Sequence, residues 1–467
     1  MKVILVCCLL ATTWACASRA APPAGVPSPP TSKPPEPPSP PVTVPEPVPP
    51  PVSPAPRPEP VASECALISE PGLPIATVAL GETVSPANAP RPSNESERLV
   101  FRQLYETLVR VDCQGRVVPG LASSWRRSID GRTWIVTIRP DGRFSDGTPV
   151  TSATVVGLWS RDGVGGDLQP HVERLVQSII AIDDETLAIQ LRSERPDAPF
   201  ALAHTNLAIV KPIGGSSWPL GTRSAQASSD RAAITITTAR GASVRFLAPR
   251  GDQRDLLDQS VDLLLTRDRA ALDYAATLPH FQSIPLAWQR TEVLLSPSSA
   301  QTSPALTAAA RQTLATDAVR GEARGAAGPF WWQGLADCEI APPRAHAAGW
   351  RPSNRVVYDT TDGAARDLAE RLVGLARYQR ATGLAGEALA LARRGGGDAA
   401  YVVSLDSRPF DPCSELQVVV EGAPWLDPET IVPLVDARLR AIVRRGYSGV
   451  VSDWDGGLLI AGGDDSR

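Results

Sequence analysis

The sequence predicts an α/β protein with a partly parallel sheet, and three observations predict it. Strand-like and helix-like runs alternate through the second half of the chain. An Asp-Gly turn separates two strand-like runs in the first half. Of the 467 residues, 43% are hydrophobic, ample for a packed core of two or three lobes.

Composition narrows the classes further. Pro occupies 47 positions, about twice ordinary usage, but the 36 Gly are aperiodic, which excludes collagen. The one long apolar run lies at the N-terminus, so a polytopic membrane protein is excluded as well. Charge is balanced, 46 Lys+Arg against 50 Asp+Glu, with no basic block to favour nucleic acid. His171, His204, His280 and His346 are the four histidines, none within helical reach of another. No metal site or other cofactor is therefore expected.

The elements follow in chain order. Met1-Lys2 and the apolar Val3–Ala11 form a secretory leader, too short to span a bilayer comfortably. Ala15-Cys16-Ala17 fits a signal-peptidase site, and Thr13-Trp14-Ala15-Cys16 is similar to a bacterial lipobox that would lipidate Cys16. The second reading is preferred because residues 21–60 hold 20 of the 47 prolines. Pro fixes φ and removes an amide donor, so that stretch forms neither helix nor central strand. As a polyproline rod at ~3.1 Å per residue, 40 residues reach roughly 120 Å, a spacer that suits an anchored protein.

Leu99, Val100, Leu104, Tyr105 and Leu108 mark a helical face over 97–108. Ser124–Ile129 and Arg132–Ile138 flank Asp130-Gly131, a hairpin. Thr151 or Ser152 caps a helix through Trp159, and Leu187, Ile189 and Leu191 alternate as a strand. Val261–Leu265 and Glu292–Leu295 read as short buried strands. Pro304 opens an Ala-rich helix through Ala315. Arg355–Tyr358 is a strand leading to a helix with Leu368, Leu372 and Leu375 on one side, and Ala400–Leu405 is a further strand. Cys65, Cys113, Cys338 and Cys413 remain after export, an even number that suggests two disulfides among three possible connectivities. Sequence halves favour Cys65–Cys113 and Cys338–Cys413.

Two runs carry a resemblance. Gln103–Val109 with Gly115–Trp125, and Ile138–Val150 with its Phe144-Ser145-Asp146-Gly147-Thr148-Pro149-Val150, resemble the opening signature of bacterial extracellular solute-binding proteins of the peptide/nickel family, family 5. Weaker echoes are Leu220-Gly221-Thr222, Gln259–Asp262, Arg311–Ala315, the Tyr401 strand through Asp411-Pro412, and Ile431–Leu434. The resemblance implies a two-lobed periplasmic-binding-protein-like fold (type II, the large peptide-binding variant) with a ligand cleft between lobes. With the leader over 1–16 and the linker over 17–62 read above, it implies lobe I over 63–292 with a hairpin-rich subdomain at about 97–192. Lobe II over 293–427 and a return to lobe I over 428–467 complete it.

The resemblance further implies an exported, lipid-anchored monomer that captures a short peptide or other small polar solute for ABC permease subunits. Binding would proceed by lobe closure, without catalysis. Asp406 is the nearest match to the family's partner for a ligand α-ammonium. Arg408 either neutralises it or faces a ligand carboxylate. Tyr401, Trp288 and Trp332 are the other candidate contacts, with Trp331 and Trp350 nearby in sequence. Only 17 residues (414–430) lie between the Asp-Pro turn and Ile431, shorter than in most of the family, and the family's Gly-Thr-Gly-Pro-Tyr segment is altered after Thr222. Both features favour a rival reading, an envelope scaffold that keeps the fold without transport. No Gly-x-Ser-x-Gly, P-loop or His-Glu-x-x-His motif argues for an enzyme.

Overall fold

Two long antiparallel strands organise the protein in a computed structural model. It describes residues 64–159, 175–195, 197–213, 218–249, 251–297, 308–317, 323–326, 328–335, 338, 340, 342–345, 354–375, 378–395, 398–407 and 412–460. The chain divides into Met1–Arg57 and Pro58–Arg467, and every described residue lies in the second unit. The leader, Cys16, the Pro-rich linker, Pro304, Trp350, Arg408 and Asp411 lie outside the described residues.

In order, the elements used below are β1 (Thr77–Ala79), α1 (Glu95–Arg102), β2 (Ala122–Arg127), β3 (Thr133–Ile138), α2 (Ser152–Trp159), β4 (Val176–Ala181) and β5 (Thr186–Leu191). Next come β6 (Ala225–Ser229), β7 (Ala233–Thr238), β8 (Ser243–Leu247), α3 (Gln253–Asp258), β9 (Leu263–Thr266), α4 (Arg269–Thr277) and β10 (Phe281–Leu295). Then follow α5 (Ala308–Asp317), β11 (Ala323–Gly325), β12 (Arg355–Asp359), α6 (Gly363–Leu375), β13 (Arg380–Leu384) and α7 (Gly386–Arg394). Last are β14 (Ala400–Asp406), α8 (Pro412–Gly422), β15 (Ile431–Arg444), β16 (Val450–Ser452) and β17 (Leu458–Ile460).

The main sheet runs β13-β12-β14-β10-β15-β9-β1-β8-β7-β6, with β11 added on β15. Its two ends have different chemistry. At one end β12 pairs in parallel with both β13 and β14, the helical crossovers α6 and α7 making that geometry possible. At the other, β1 pairs in parallel with β8 and β9. Strands β10 and β15 belong to both ends. The Phe281–Pro285 half of β10 faces Arg440–Arg444, beside β9, whereas Arg290–Leu295 faces both Ile431–Ala437 and β14. Between these halves the register shifts at Pro285/Trp288 and Trp288/Arg290, and it shifts again at Glu292/Val293 within the second half. Such bulges kink a strand and re-aim its side chains.

Each sheet end is buried on both faces. Val356, Leu368, Leu372 and Val402 pack on one side of the β12–β14 end, and Tyr401, Leu405, Leu416 and Trp425 on the other. Ile75, Phe101, Tyr105 and Leu439 cover one side of the β1–β9 end, and Leu256, Leu272 and Phe281 the other. A separate four-stranded sheet, β2-β3-β5-β4, closes over Trp134, Val136, Leu158 and Leu187. Disulfides join Cys65 to Cys113 (Cα–Cα 5.6 Å) and Cys338 to Cys413 (5.5 Å), the latter at the start of α8.

Several expectations change in detail. The first helix spans Glu95–Arg102, not 97–108: after it the chain turns and the Gln103 side-chain amide donates to the Leu99 and Leu458 carbonyls. Gly221 then approaches the Leu104 carbonyl so closely that any Cβ there would collide with it, which explains the glycine of Leu220-Gly221-Thr222. Leu375 ends α6 and is exposed, so it does not share the buried face of Leu368 and Leu372. The brief interval before Ile431 holds α8, which buries Leu416, Val419 and Val420.

Candidate functional site

A cleft of about 1180 Å³ opens between the two ends of the main sheet. One wall is the β1 turn (Ala79–Glu82), the start of α1, and Thr266–Asp268. The other is the β12–α6 turn (Asp359–Asp367) with Arg393 of α7. Arg290 and Glu292 of β10 and Val402–Ser404 of β14 form the floor. This lies a little above the range of about 300–1,000 Å³ that drug-sized ligand pockets occupy, room enough for a small polar solute with water.

The floor is charged, and Glu292 within it is buried. Asn94 caps α1 by accepting from the Glu97 amide (2.8 Å), which fixes Glu95 in the first turn, where a helix N-terminus favours an anion. Arg267 and Arg290 each place a guanidinium nitrogen 3.3 Å from Glu95 Oε1, and Arg98 reaches Oε2 at 3.4 Å. Burial works to raise the Glu95 pKa, but the three guanidiniums prevail and hold it near 2. Arg267 also donates to Gln289 Oε1 (3.0 Å), and Gln289 donates to the Asp455 carbonyl (3.1 Å). The strand bulge is thereby tied to the β16–β17 turn. There Arg102 pairs with Asp453 and Asp455, and Arg110 with Asp453 at 2.9 Å.

Glu292 behaves oppositely. It is 1% exposed, and Oε2 has no hydrogen-bond partner among the described residues. Burial, reinforced by repulsion from Asp362, pushes its carboxyl up to about 7, against the pull of Arg290, Arg267 and Ser404. Ser404 faces it across the β10–β14 ladder.

A recess of about 330 Å³ adjoins the cleft and shares Glu95, Arg290 and Ser404 with it. Asp406, Glu415, Trp288, Trp454 and His204 line it. Asp406 ends β14, and its carbonyl accepts from Trp331 Nε1 (2.8 Å). Trp288 sits between Arg324 and Arg438, whose guanidinium carbons lie 4.7 and 4.4 Å from its ring centre.

The structure thus brings Asp406 and Trp288 to one recess, and places two other expected contacts in a core away from it. Tyr401 is fully buried: strand alternation turns it toward α7 and α8, where its hydroxyl donates to the Ala392 carbonyl (2.8 Å) and its ring lies 5.9 Å from Trp425. Trp332 is 5% exposed and stacks on Phe330 at 4.8 Å inside the same core. Neither lines the cleft or the recess. Arg408 lies outside the described residues. Sequence reading passed over Glu95, Arg267, Arg290, Glu292 and Asp362. The available signal was a charged residue at the head of the apolar run Val293–Leu295, because a strand buried on both faces does not admit a carboxylate without reason. Among the described residues no cluster of His, Cys, Asp and Glu is placed to hold a metal ion, and no helix is long and apolar enough to cross a membrane.

Residues 116–238 match the family model for bacterial extracellular solute-binding proteins, family 5 Middle. A putative binding protein of Haemophilus influenzae is 28% identical over 131 residues, 24% of this chain and 25% of that protein. The periplasmic murein peptide-binding protein MppA of Escherichia coli is 44% identical over 62 residues, 13% of this chain and 11% of its own length. The chain therefore aligns with a quarter of these curated relatives or less. Among solved structures, a dipeptide-binding protein from Pseudoalteromonas sp. SM9913 in complex with Met-Leu superposes with a TM-score of 0.62 at 13% identity. That match covers 82% of this chain and 98% of the other. The chain thus has the two-lobed α/β periplasmic-binding-protein-like fold, with homology to family 5 over part of its length.

Proposed function

We propose that this family 5 homologue is the extracytoplasmic solute-binding component of an ABC importer, capturing a small polar solute such as a short peptide. The observation that carries the reading is the cleft between the lobes, floored by the half-buried Arg290 and the fully buried Glu292 on a strand that pairs into both. Charges cost free energy to bury, and a site that retains them is suited to a ligand bearing complementary charge. Closure of the lobes would desolvate the ligand and pair its charged ends without any covalent step.

In this reading Asp406 receives the solute's α-ammonium and Trp288 forms an apolar wall, with Arg408 next to Asp406 in sequence. Lobe I spans 63–292 and 428–467, and lobe II spans 293–427. Cys16 carries the lipid, and residues 17–62 hold the monomeric receptor away from the membrane, within reach of the permease subunits. A thermal-shift screen of the mature chain against short peptides, oligosaccharides and Ni²⁺ tests the function. Ligands that bind only the folded state stabilise it by mass action, so a saturating peptide should raise Tm by several degrees. No shift across a broad library in a well-folded sample overturns transport in favour of the scaffold role.

A further inference from the structure

Partner accounting around the cleft leaves one charge over. Arg267 and Arg290 are committed to Glu95. Arg254 is paired with Asp252, Arg269 with Asp273 and Arg366 with Asp367, while Arg393 donates to the Gly422 carbonyl. The acids of the walls are engaged too: Glu82 accepts from the Ser96 amide (3.1 Å), Asp268 from Ala271 (3.1 Å) and Asp362 from Ala365 (3.0 Å). Glu292 alone among these lining groups has a fully buried carboxylate oxygen with no partner among the described residues. It lies at the third register shift of β10, on the floor, and Asp362 presses on it from the opposite wall.

We propose that Glu292 and Asp362 together seat a cationic group on the solute, an ammonium or guanidinium distinct from the α-ammonium assigned to Asp406. The proposal rests on the solute-binding reading and names the solute class: one with a basic side chain. An anionic group placed there would meet Glu95, Glu292 and Asp362 while the neighbouring guanidiniums are already taken. A neutral group would leave Glu292 as it is, buried, with the nearby Arg267 and Arg290 ion-paired to Glu95 and Glu292 Oε2 without a hydrogen-bond partner among the described residues, and buried carboxylates are stable only when paired or protonated. A cation supplies the missing charge and draws on Asp362 across the cleft, so binding and approach of the two walls are coupled. The groups facing Glu292 are Arg290 on its own strand, Arg267 after β9, Ser404 on β14 and Asp362 before α6. Its carboxyl is partly protonated near neutral pH, so seating a cation expels a proton.

Isothermal titration calorimetry of the full mature chain at pH 7.5 tests this with Ala-Lys-Ala, Ala-norleucine-Ala and Ala-Glu-Ala. The first two share length and α-ammonium and differ only in the side-chain charge. The lysine peptide should bind about tenfold or more tighter than its norleucine counterpart. Its heat should change between phosphate and Tris buffers, reporting proton release, while the norleucine peptide's should not. The lysine-to-norleucine affinity ratio should fall to near one in Glu292→Gln and, independently, in Asp362→Asn. Equal affinity for the two peptides in the unmodified protein, or a ratio that survives both substitutions, overturns the cation seat and leaves solute binding standing. Binding of none of the three overturns the seat as stated, and the broader ligand screen then decides the function separately.

Discussion

Replacing Glu292 by Gln should stabilise the protein, and only above a defined pH. The carboxyl ordinarily titrates at 4.5 and is pushed up to about 7 in the folded protein. Between those values the folded state holds a proton that the unfolded state has lost. Stability therefore falls as pH rises through that window, and the full penalty applies above about pH 7. The gap from 4.5 to about 7, at about 1.4 kcal/mol per pH unit, gives roughly 3 kcal/mol. Glutamine keeps the shape and removes the charge, so Glu292→Gln should gain up to roughly 3 kcal/mol at pH 8 and nothing at pH 4. Urea unfolding of both proteins at pH 4, 6 and 8 measures this. No gain at pH 8 refutes the argument, because the carboxylate would then have a partner. An equal gain at pH 4 refutes it differently, because the effect would be packing.

Other predictions concern different parts of the molecule. Glu95→Gln should destabilise by roughly 3 kcal/mol at pH 7, a loss that fades as pH drops from about 4.5 toward 2, because the carboxylate's stabilisation is itself lost on protonation; urea unfolding against pH reads it. Tyr401→Phe should cost about 1 kcal/mol of stability through the lost bond to Ala392, with peptide affinity unchanged, whereas Asp406→Asn should weaken peptide binding at least tenfold by calorimetry. Removing the Cys65–Cys113 disulfide by double Ser substitution should cost about 2–4 kcal/mol in urea unfolding. Labelling cells with a radioactive fatty acid should mark the wild type and not Cys16→Ser; unchanged label in the variant sinks the anchor.

What the sequence made legible was local. The Asp130-Gly131 hairpin could be read because its turn chemistry and flanking strands lie within fifteen residues, and it appears as Ala122–Arg127 paired with Thr133–Ile138. The crossing strand Phe281–Leu295 could not be read whole. Pro285 and the bulges at Trp288 and Glu292 break its alternation, so only its last four residues look like a strand. The site suffered for the same reason. Glu95, Arg267, Arg290 and Asp362 come from four distant segments and meet only after the sheet has formed. Tyr401 and Asp406 share one strand, but only the tertiary layers decide that the first faces a core and the second a recess.

The sheet that continues through both lobes has a mechanical consequence. β10 and β15 pair over Phe281–Pro285, at Trp288 and over Arg290–Leu295, so the lobes are joined by a ribbon with an irregular middle. A ribbon resists stretching and sliding but yields to torsion, and it yields first where its ladder is irregular. If the lobes close on a solute as proposed, the movement would be an elastic twist concentrated at Pro285–Val293, with a restoring torque that would return the emptied protein to its resting angle. Regularising those bulges would stiffen the spring, and the same ligand would then have to work against a larger torque to hold the lobes together.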